Sequence, residues 1–280
     1  MNLFETDISD RLDEILGDWV DPQPAPVIEH WNDRFIVRDD LLEVGSKARF
    51  GDHLVSTCEY DTIVYPASPA QGFAQVSLAY LCTKYNKKFV MYTPERKKEN
   101  LTKQQRKAIE LGADLRMVKT YSSYAPLRKA ADDYLARHPE ATMAPEGLDC
   151  LSVLASVVRI GRSMPITPKE VWSIGSTGTL SRGLQMAWPD ADFHIVSAMG
   201  RKMKSGQEGR AKVYSTPWSY SQNVAKSDRP HFNSVLNYDA KAWPYFVKYS
   251  SKGALFWNVA GEVTPSEDKT NERQLVKETV

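Results

Sequence analysis

The sequence predicts an α/β protein: mostly parallel, twisted sheets with helices packed on their faces. Three observations carry this. From residue 62 onward, apolar runs of strand length alternate with helical stretches, the order a parallel crossover requires. The runs are continuous rather than alternating apolar and polar, as strands buried on both faces should be. A chain of 280 residues with 42% hydrophobic content can also bury one large core or two lobes.

Taken in order, "DISDRLDEILGDWV" sets Ile8, Leu12, Ile15, Leu16 and Trp19 at helical spacing behind an acidic first turn, and "DPQPAP" ends that segment. Residues 1–26 therefore read as an amphipathic lead-in and linker. "DRFIV" is a candidate strand, "RDD" a turn, and a helix opens near Ser46 in "EVGSKARFGDHLV". The strands "TIVYPA", "FVMYT", "LRMVK", "EVWSIG" and "DFHIVSAM" then alternate with the helices "GFAQVSLAYLCTKYN", "TKQQRKAIELG" and "APLRKAADDYLARH". Residues 201–233 are polar, weakly periodic and mixed with aromatics, Gly and Pro, which suggests a lid or insertion loop. Residues 263–280 are charged and poor in large apolar side chains, so a polar surface tail is expected there.

Charge excludes some partners. Lys and Arg total 36 against 35 Asp and Glu, so no global field draws the chain to nucleic acid or an anionic membrane, and phosphate binding must be local. The basic runs in "ERKKEN" and "TKQQRK" read as a solvated face. Cys58, Cys82 and Cys150 are too few and scattered for a disulfide framework or a CxxC metal pair, and His53, His138, His194 and His231 have no partners at metal spacing. With no apolar run of membrane length and an acidic N-terminus, a cytoplasmic protein is expected.

"WSIGSTGTLSRG" reads as a strand, a glycine-bounded loop and a helix start. Gly175 and Gly178 bracket Ser176 and Thr177, and Thr179 opens the helix. Free backbone N–H groups, hydroxyls and a helix N-terminus are the parts of a phosphate cradle. The loop lacks the lysine of a Walker loop and the G-x-G-x-x-G spacing of a dinucleotide fingerprint. A tight strand-to-helix turn capped by a hydroxyl is the alternative reading.

Together with four other segments, this loop resembles the fold type II pyridoxal-phosphate enzymes, the tryptophan-synthase-β-like superfamily. Within them it is most similar to the aminocyclopropane-carboxylate deaminase and D-cysteine desulfhydrase branch. "EVGSKARF" resembles the G-N-K-x-R segment that bears the Schiff-base lysine, and "PAQGFAQVSLAYLCTKYNKKFVMYTPE" the S-N-H helix and following strand. "APEGLDCLSVLASV" resembles a P-E-G-G-S helix start, "GSTGTLSRG" the phosphate loop, and "NYDAKAW" a Y-T-G-K-A turn. The resemblance implies two lobes around a cofactor cleft: a catalytic region over residues 27–262, with a smaller lobe near 62–145 inserted in it. It implies pyridoxal 5′-phosphate as cofactor, Lys47 as the lysine that holds it, and Gly175, Ser176, Thr177, Gly178 and Thr179 around its phosphate. Tyr238 would stand near the substrate as acid, base or orienting group. The implied protein is a homodimeric lyase or deaminase of amino-acid metabolism.

Two positions depart from the resemblance. Phe73 stands where the family has the Asn that bonds the ring hydroxyl, with Ala74 in place of the His, and Val259 stands where a Thr contacts the pyridine nitrogen. Three readings follow. The first is a pyridoxal-phosphate enzyme acting on an amino acid or an amine derived from one. The second is a repurposed relative that binds a phosphorylated small molecule or nucleotide without covalent chemistry. The third is an enzyme acting on an amino-acid-like group carried by a macromolecule. Covalent attachment of the cofactor would need a lysine able to lose its proton near neutrality, and placement in the first turn of a helix beside Arg49 would lower the pKa of Lys47.

Overall fold

The computed structural model describes residues 8–120, 124–200 and 203–265, and the backbone of 275–278. In chain order its strands are β1 (Ile28–Trp31), β2 (Arg34–Arg38), β3 (Thr62–Pro66), β4 (Lys88–Pro94), β5 (Asp114–Val118), β6 (Ala141–Met143), β7 (Glu170–Gly175), β8 (Asp192–Ser197), β9 (Lys212–Ser215), β10 (Leu255–Asn258) and β11 (Leu275–Glu278). Its helices are α1 (Leu12–Leu16), α2 (Ser46–Phe50), α3 (Asp52–Ser56), α4 (Ala74–Lys84), α5 (Lys103–Glu110), α6 (Tyr124–Arg137), α7 (Leu151–Ser163), α8 (Thr179–Ala187) and α9 (Trp243–Tyr249). The chain divides into two compact units, one formed by residues 1–53 with 149–262 and the other by 54–148 with 263–280.

The first unit is built on a six-stranded sheet in the order β1-β2-β10-β7-β8-β9. Among the described residues, only the β1–β2 pair of this sheet is antiparallel. Its turn places Asn32 and Asp33 at φ of 45° and 59°, the left-handed pair of a two-residue hairpin, which short polar side chains tolerate. The four-residue strands β1 and β9 lie at the edges and escape a search for long apolar runs. β7 is buried along most of its length and runs straight into α8 through residues 176–178. The phosphate-type loop thus sits at the carboxyl end of a parallel strand, where ligands of open α/β sheets bind.

Helices α7 and α8 pack against each other closely because two glycines let them. A Cβ on Gly161 would lie 2.8 Å from the Ala187 Cβ, and one on Gly183 would lie 2.5 Å from Val157 Cγ1. The predicted lead-in is a docked part of this unit. Ile8 and Leu16 pack with Leu154 and Ala155 of α7, and Arg159 donates to the carbonyl oxygens of Gly17 and Trp19.

The second unit carries a parallel five-stranded sheet in the order β11-β5-β4-β3-β6. Leu127, Ala130, Ala131 and Tyr134 of α6 bury against Val64, Val90 and Tyr92 of β3 and β4. Helix α5 opens on a capping box: the Thr102 hydroxyl accepts from the Gln105 amide and the Gln105 side chain accepts from the Thr102 amide.

The expectation of a plain polar tail over 263–280 is corrected here. Residues 275–278 form β11 and pair in parallel with β5, Leu275 opposite Leu115 and Glu278 opposite Val118. The sheet edge at β5 offers unmade backbone hydrogen bonds, and a short segment with two apolar residues satisfies them despite its charged surroundings.

The helix contact gives a stability prediction. Gly183→Ala adds a methyl against Val157 and should destabilise the fold in urea unfolding by about 1–3 kcal/mol, although alanine favours a helix interior by about 1 kcal/mol. Val157→Ala in the same chain should recover part of the loss. Additive losses in the double variant would show that the glycine does not set the helix spacing.

Candidate active site

Lys47 lies on α2, and the chain reaches it through a tight passage. Gly45 has φ of 69°, and a Cβ there would lie 2.5 Å from the Val259 carbonyl oxygen and 2.7 Å from the Ala260 Cβ. The Ser46 amide donates to that same Val259 carbonyl at 2.7 Å, which fixes the start of α2 to the end of β10. Lys47 is partly exposed as a residue, and desolvation of its ammonium end pushes its pKa down to about 8, against the pull of the Asp149 and Asp239 carboxylates.

The cause differs from the one expected from sequence. Helix α2 has only five residues, so its dipole is small. The Arg49 guanidinium is engaged elsewhere, by Asp21, by the Pro24 carbonyl at 2.7 Å and by Asp39 at 3.4 Å. Desolvation lowers the Lys47 pKa.

The loop after β7 has the form anticipated. Gly178 is left-handed at φ of 73° and precedes α8 with no side-chain cap on the helix start. A Cβ on Gly178 would lie 1.8 Å from the Gln207 carbonyl oxygen, and one on Gly175 would lie 2.6 Å from Ile195 Cγ2. Only glycine fits either place. The Thr177 and Thr179 hydroxyls lie 3.0 Å apart, and Ser176 and Thr177 are partly exposed.

Beneath the loop sits a cation that sequence reasoning missed. Arg182, one turn into α8 and buried, donates to the Thr177 carbonyl at 2.8 Å and the Gln207 carbonyl at 3.1 Å, and pairs with Asp149 just before α7. The same contacts correct the reading of the polar segment as a lid, whose first two residues lie outside the described ones. Residues 203–210 are fastened to α8: the Gln185 side chain donates to the Glu208 carbonyl at 2.9 Å and accepts from the Arg210 amide at 2.8 Å. Further on, the buried Lys241 ammonium holds the Ser219 and Tyr220 carbonyls at 2.8 and 3.1 Å.

Tyr238 joins this assembly. Its hydroxyl hydrogen-bonds with Ser176, and burial together with the neighbouring Asp239 raises its pKa, so the phenol stays protonated through the physiological range. Asp239 is fully buried. Its Oδ1 accepts from the Val259 amide at 3.2 Å, while its Oδ2 has no hydrogen-bond partner among the described residues. Burial raises the pKa of this carboxyl well above its ordinary value.

The structure therefore brings Lys47, the 175–179 loop and Tyr238 into one unit, and adds Asp149, Arg182 and Asp239. Asp239 adjoins Tyr238 within "NYDAKAW" and Asp149 directly precedes the Cys150 cap of α7, so both lie within segments whose resemblance to the family was already marked. Val259 contributes backbone rather than side chain, joining Ser46 on one side to Asp239 on the other. Phe73 belongs to the second unit, where its carbonyl accepts from the Val76 and Ser77 amides at the start of α4. Among the described residues no helix is long and apolar enough to cross a membrane.

No family model matches the chain, and no curated protein matches it. Solved structures do. An ACC deaminase homologue superposes with a TM-score of 0.70 at 15% identity, over 90% of this chain and 94% of its own. This chain has the fold type II architecture of pyridoxal-phosphate enzymes. A threonine deaminase from T.th. matches with a TM-score of 0.64 at 13% identity, over 92% of this chain and 98% of its own. Diaminopropionate ammonia lyase of Escherichia coli, in complex with an aminoacrylate-PLP azomethine reaction intermediate, matches at 0.59 and 12% identity, over 94% of this chain and 90% of its own. At these identities the likeness is one of fold.

The Arg182–Asp149 pair can be tested apart from any ligand. Arg182→Met strands a carboxylate below the loop and should cost about 3 kcal/mol in urea unfolding. Asp149→Asn combined with Arg182→Met should cost less than the two single changes summed. Strict additivity would show that the two side chains do not act as a pair.

Proposed function

We propose that the first unit binds pyridoxal 5′-phosphate and that the protein uses it in deamination or elimination on an amino acid or an amine derived from one. The observation that carries this reading is that one unit holds Lys47, whose desolvation lowers its pKa, a glycine-bounded hydroxyl loop at a helix start, and a buried carboxyl with an unused oxygen.

The residues present fit the group. Gly175, Ser176, Thr177, Gly178 and Thr179 supply the hydroxyls and backbone N–H groups of a phosphate site, in a loop whose glycines let Gln207 and Ile195 pack against it. Asp239 Oδ2 is the atom free to meet a pyridine nitrogen, so the lost threonine hydroxyl at 259 has a substitute from the neighbouring turn. When bound, pyridoxal phosphate acts as an electron sink for negative charge developing beside a substrate amine.

The chain's own groups do the rest. With a pKa of about 8, roughly a tenth of Lys47 is uncharged at pH 7, where an ordinary lysine would be almost wholly protonated. The uncharged Nζ would hold the cofactor if it binds, and the same amine can take up and return a proton beside a substrate. Tyr238, kept protonated, donates a hydrogen bond rather than acting as a base at neutral pH. Its link to Ser176 ties that donor to the phosphate loop.

Absorbance titration with pyridoxal 5′-phosphate tests the reading. The wild type should turn yellow, with attachment rising as pH rises through about 8, because the neutral amine is the reactive form. Lys47→Ala should give no such band. Thr177→Val or Thr179→Val should weaken retention on dialysis by about 1.5–3 kcal/mol, the worth of a hydrogen bond to a charged group. A colourless wild type at saturating cofactor would end this reading and favour a phosphorylated ligand held without covalent attachment.

A further inference from the structure

Beyond that reading, the structure shows how the lysine is held. Helix α2 has five residues and no side-chain cap at Gly45, too little to be stable alone. Its two flanks converge on one carboxylate, Asp39, in the turn after β2. Asp39 is 1% exposed. Its Oδ2 accepts from the Ser46 hydroxyl at 2.6 Å and from the Trp257 indole N–H at 3.1 Å. Its Oδ1 lies 3.4 Å from the Arg49 guanidinium. Arg49 reaches on to Asp21 and the Pro24 carbonyl, so the arm before β1 is part of the same network.

Ser46 and Arg49 bracket Lys47 in sequence, and both are anchored on the same carboxylate. We propose that Asp39 is a positioning residue for Lys47, gripping α2 through Ser46 and Arg49 so that the access of water to the lysine's Nζ is limited. This deepens the proposed function and rests on Lys47 being the reactive amine. A buried carboxylate is a costly way to fix a helix, and a well-packed apolar contact would serve for stability alone. A carboxylate bound on both oxygens instead fixes orientation, which an apolar contact does not.

The charged groups facing Lys47 are Asp149 and Asp239, with Arg49 on its own helix turned to Asp21 and Asp39. This makes the sign of the test decisive. If Asp39 acted on Lys47 only as a distant negative charge, removing it would lower the lysine's pKa. If it positions the helix, removing it lets more water reach Nζ and raises the pKa toward that of a free lysine.

The experiment is competitive labelling of the full chain, without added cofactor, by a small amine-acetylating reagent from about pH 6 to about pH 11, with Lys47 read by mass spectrometry. In the wild type the midpoint for Lys47 should be about 8. Asp39→Asn and Ser46→Ala should each raise it by about one pH unit, a roughly tenfold loss of neutral amine at pH 7, while Ser46→Thr, which keeps the hydroxyl, should restore it. Circular dichroism identifies the variants that fold; if Asp39→Asn does not, Ser46→Ala, which removes one hydroxyl, decides. An unchanged or lowered midpoint in a folded variant overturns the proposal. Adding pyridoxal 5′-phosphate to the wild type separates the two ideas. Colour without a midpoint shift leaves the function standing and removes the role of Asp39, and a midpoint shift without colour does the reverse.

Discussion

The first unit depends on one constraint: the ammonium end of Lys47, a partly exposed residue, must be desolvated enough to lower its pKa while Asp149 and Asp239 stand close to it. Desolvation alone lowers the lysine's pKa, and the carboxylates of Asp149 and Asp239 oppose it. Much of the unit's polar interior follows from that balance. Asp149 is tied to Arg182, Asp239 accepts from the Val259 amide, and the Val259 carbonyl in turn accepts from the Ser46 amide. Each of these groups is held by another element of the same unit, so the lysine's environment is a property of the fold rather than of α2.

The phosphate-type loop is the second product of this arrangement. A parallel strand that runs directly into a helix presents unmade N–H groups at its carboxyl end, and Gly175 and Gly178 let Ile195 and Gln207 pack against the loop where a side chain would collide. Arg182 then does two jobs with one guanidinium. It fixes the loop through the Thr177 carbonyl and the covering segment through the Gln207 carbonyl. The close packing of α7 on α8 at Gly161 and Gly183 sets where that guanidinium meets Asp149.

Much of this was legible in the sequence because it is local. Strand-length apolar runs marked β3, β4, β5, β7 and β8, and the glycine spacing of 175–178 marked the loop. The edge strands β1, β9 and β11 were not legible, because each is four residues long and owes its existence to a neighbouring strand's unmade hydrogen bonds rather than to its own pattern. The pKa of Lys47 was anticipated in direction but assigned to a helix dipole and to Arg49. Which way an arginine turns is a tertiary fact, and Arg49 turns to Asp21 and Asp39. Val259 looked like a lost ring contact for a similar reason: sequence position showed the missing hydroxyl, while the Asp239 carboxyl that lies beside it comes from an earlier turn of the chain.

Under the proposed function, Lys47 is the amine that meets a carbonyl cofactor. Borohydride reduction of the protein after incubation with pyridoxal 5′-phosphate at about pH 8, followed by peptide mapping, is the decisive measurement. A pyridoxyl mass is expected on the peptide containing Lys47, at one label per chain. A label spread over surface lysines, or centred on another lysine such as the buried Lys241, would contradict it.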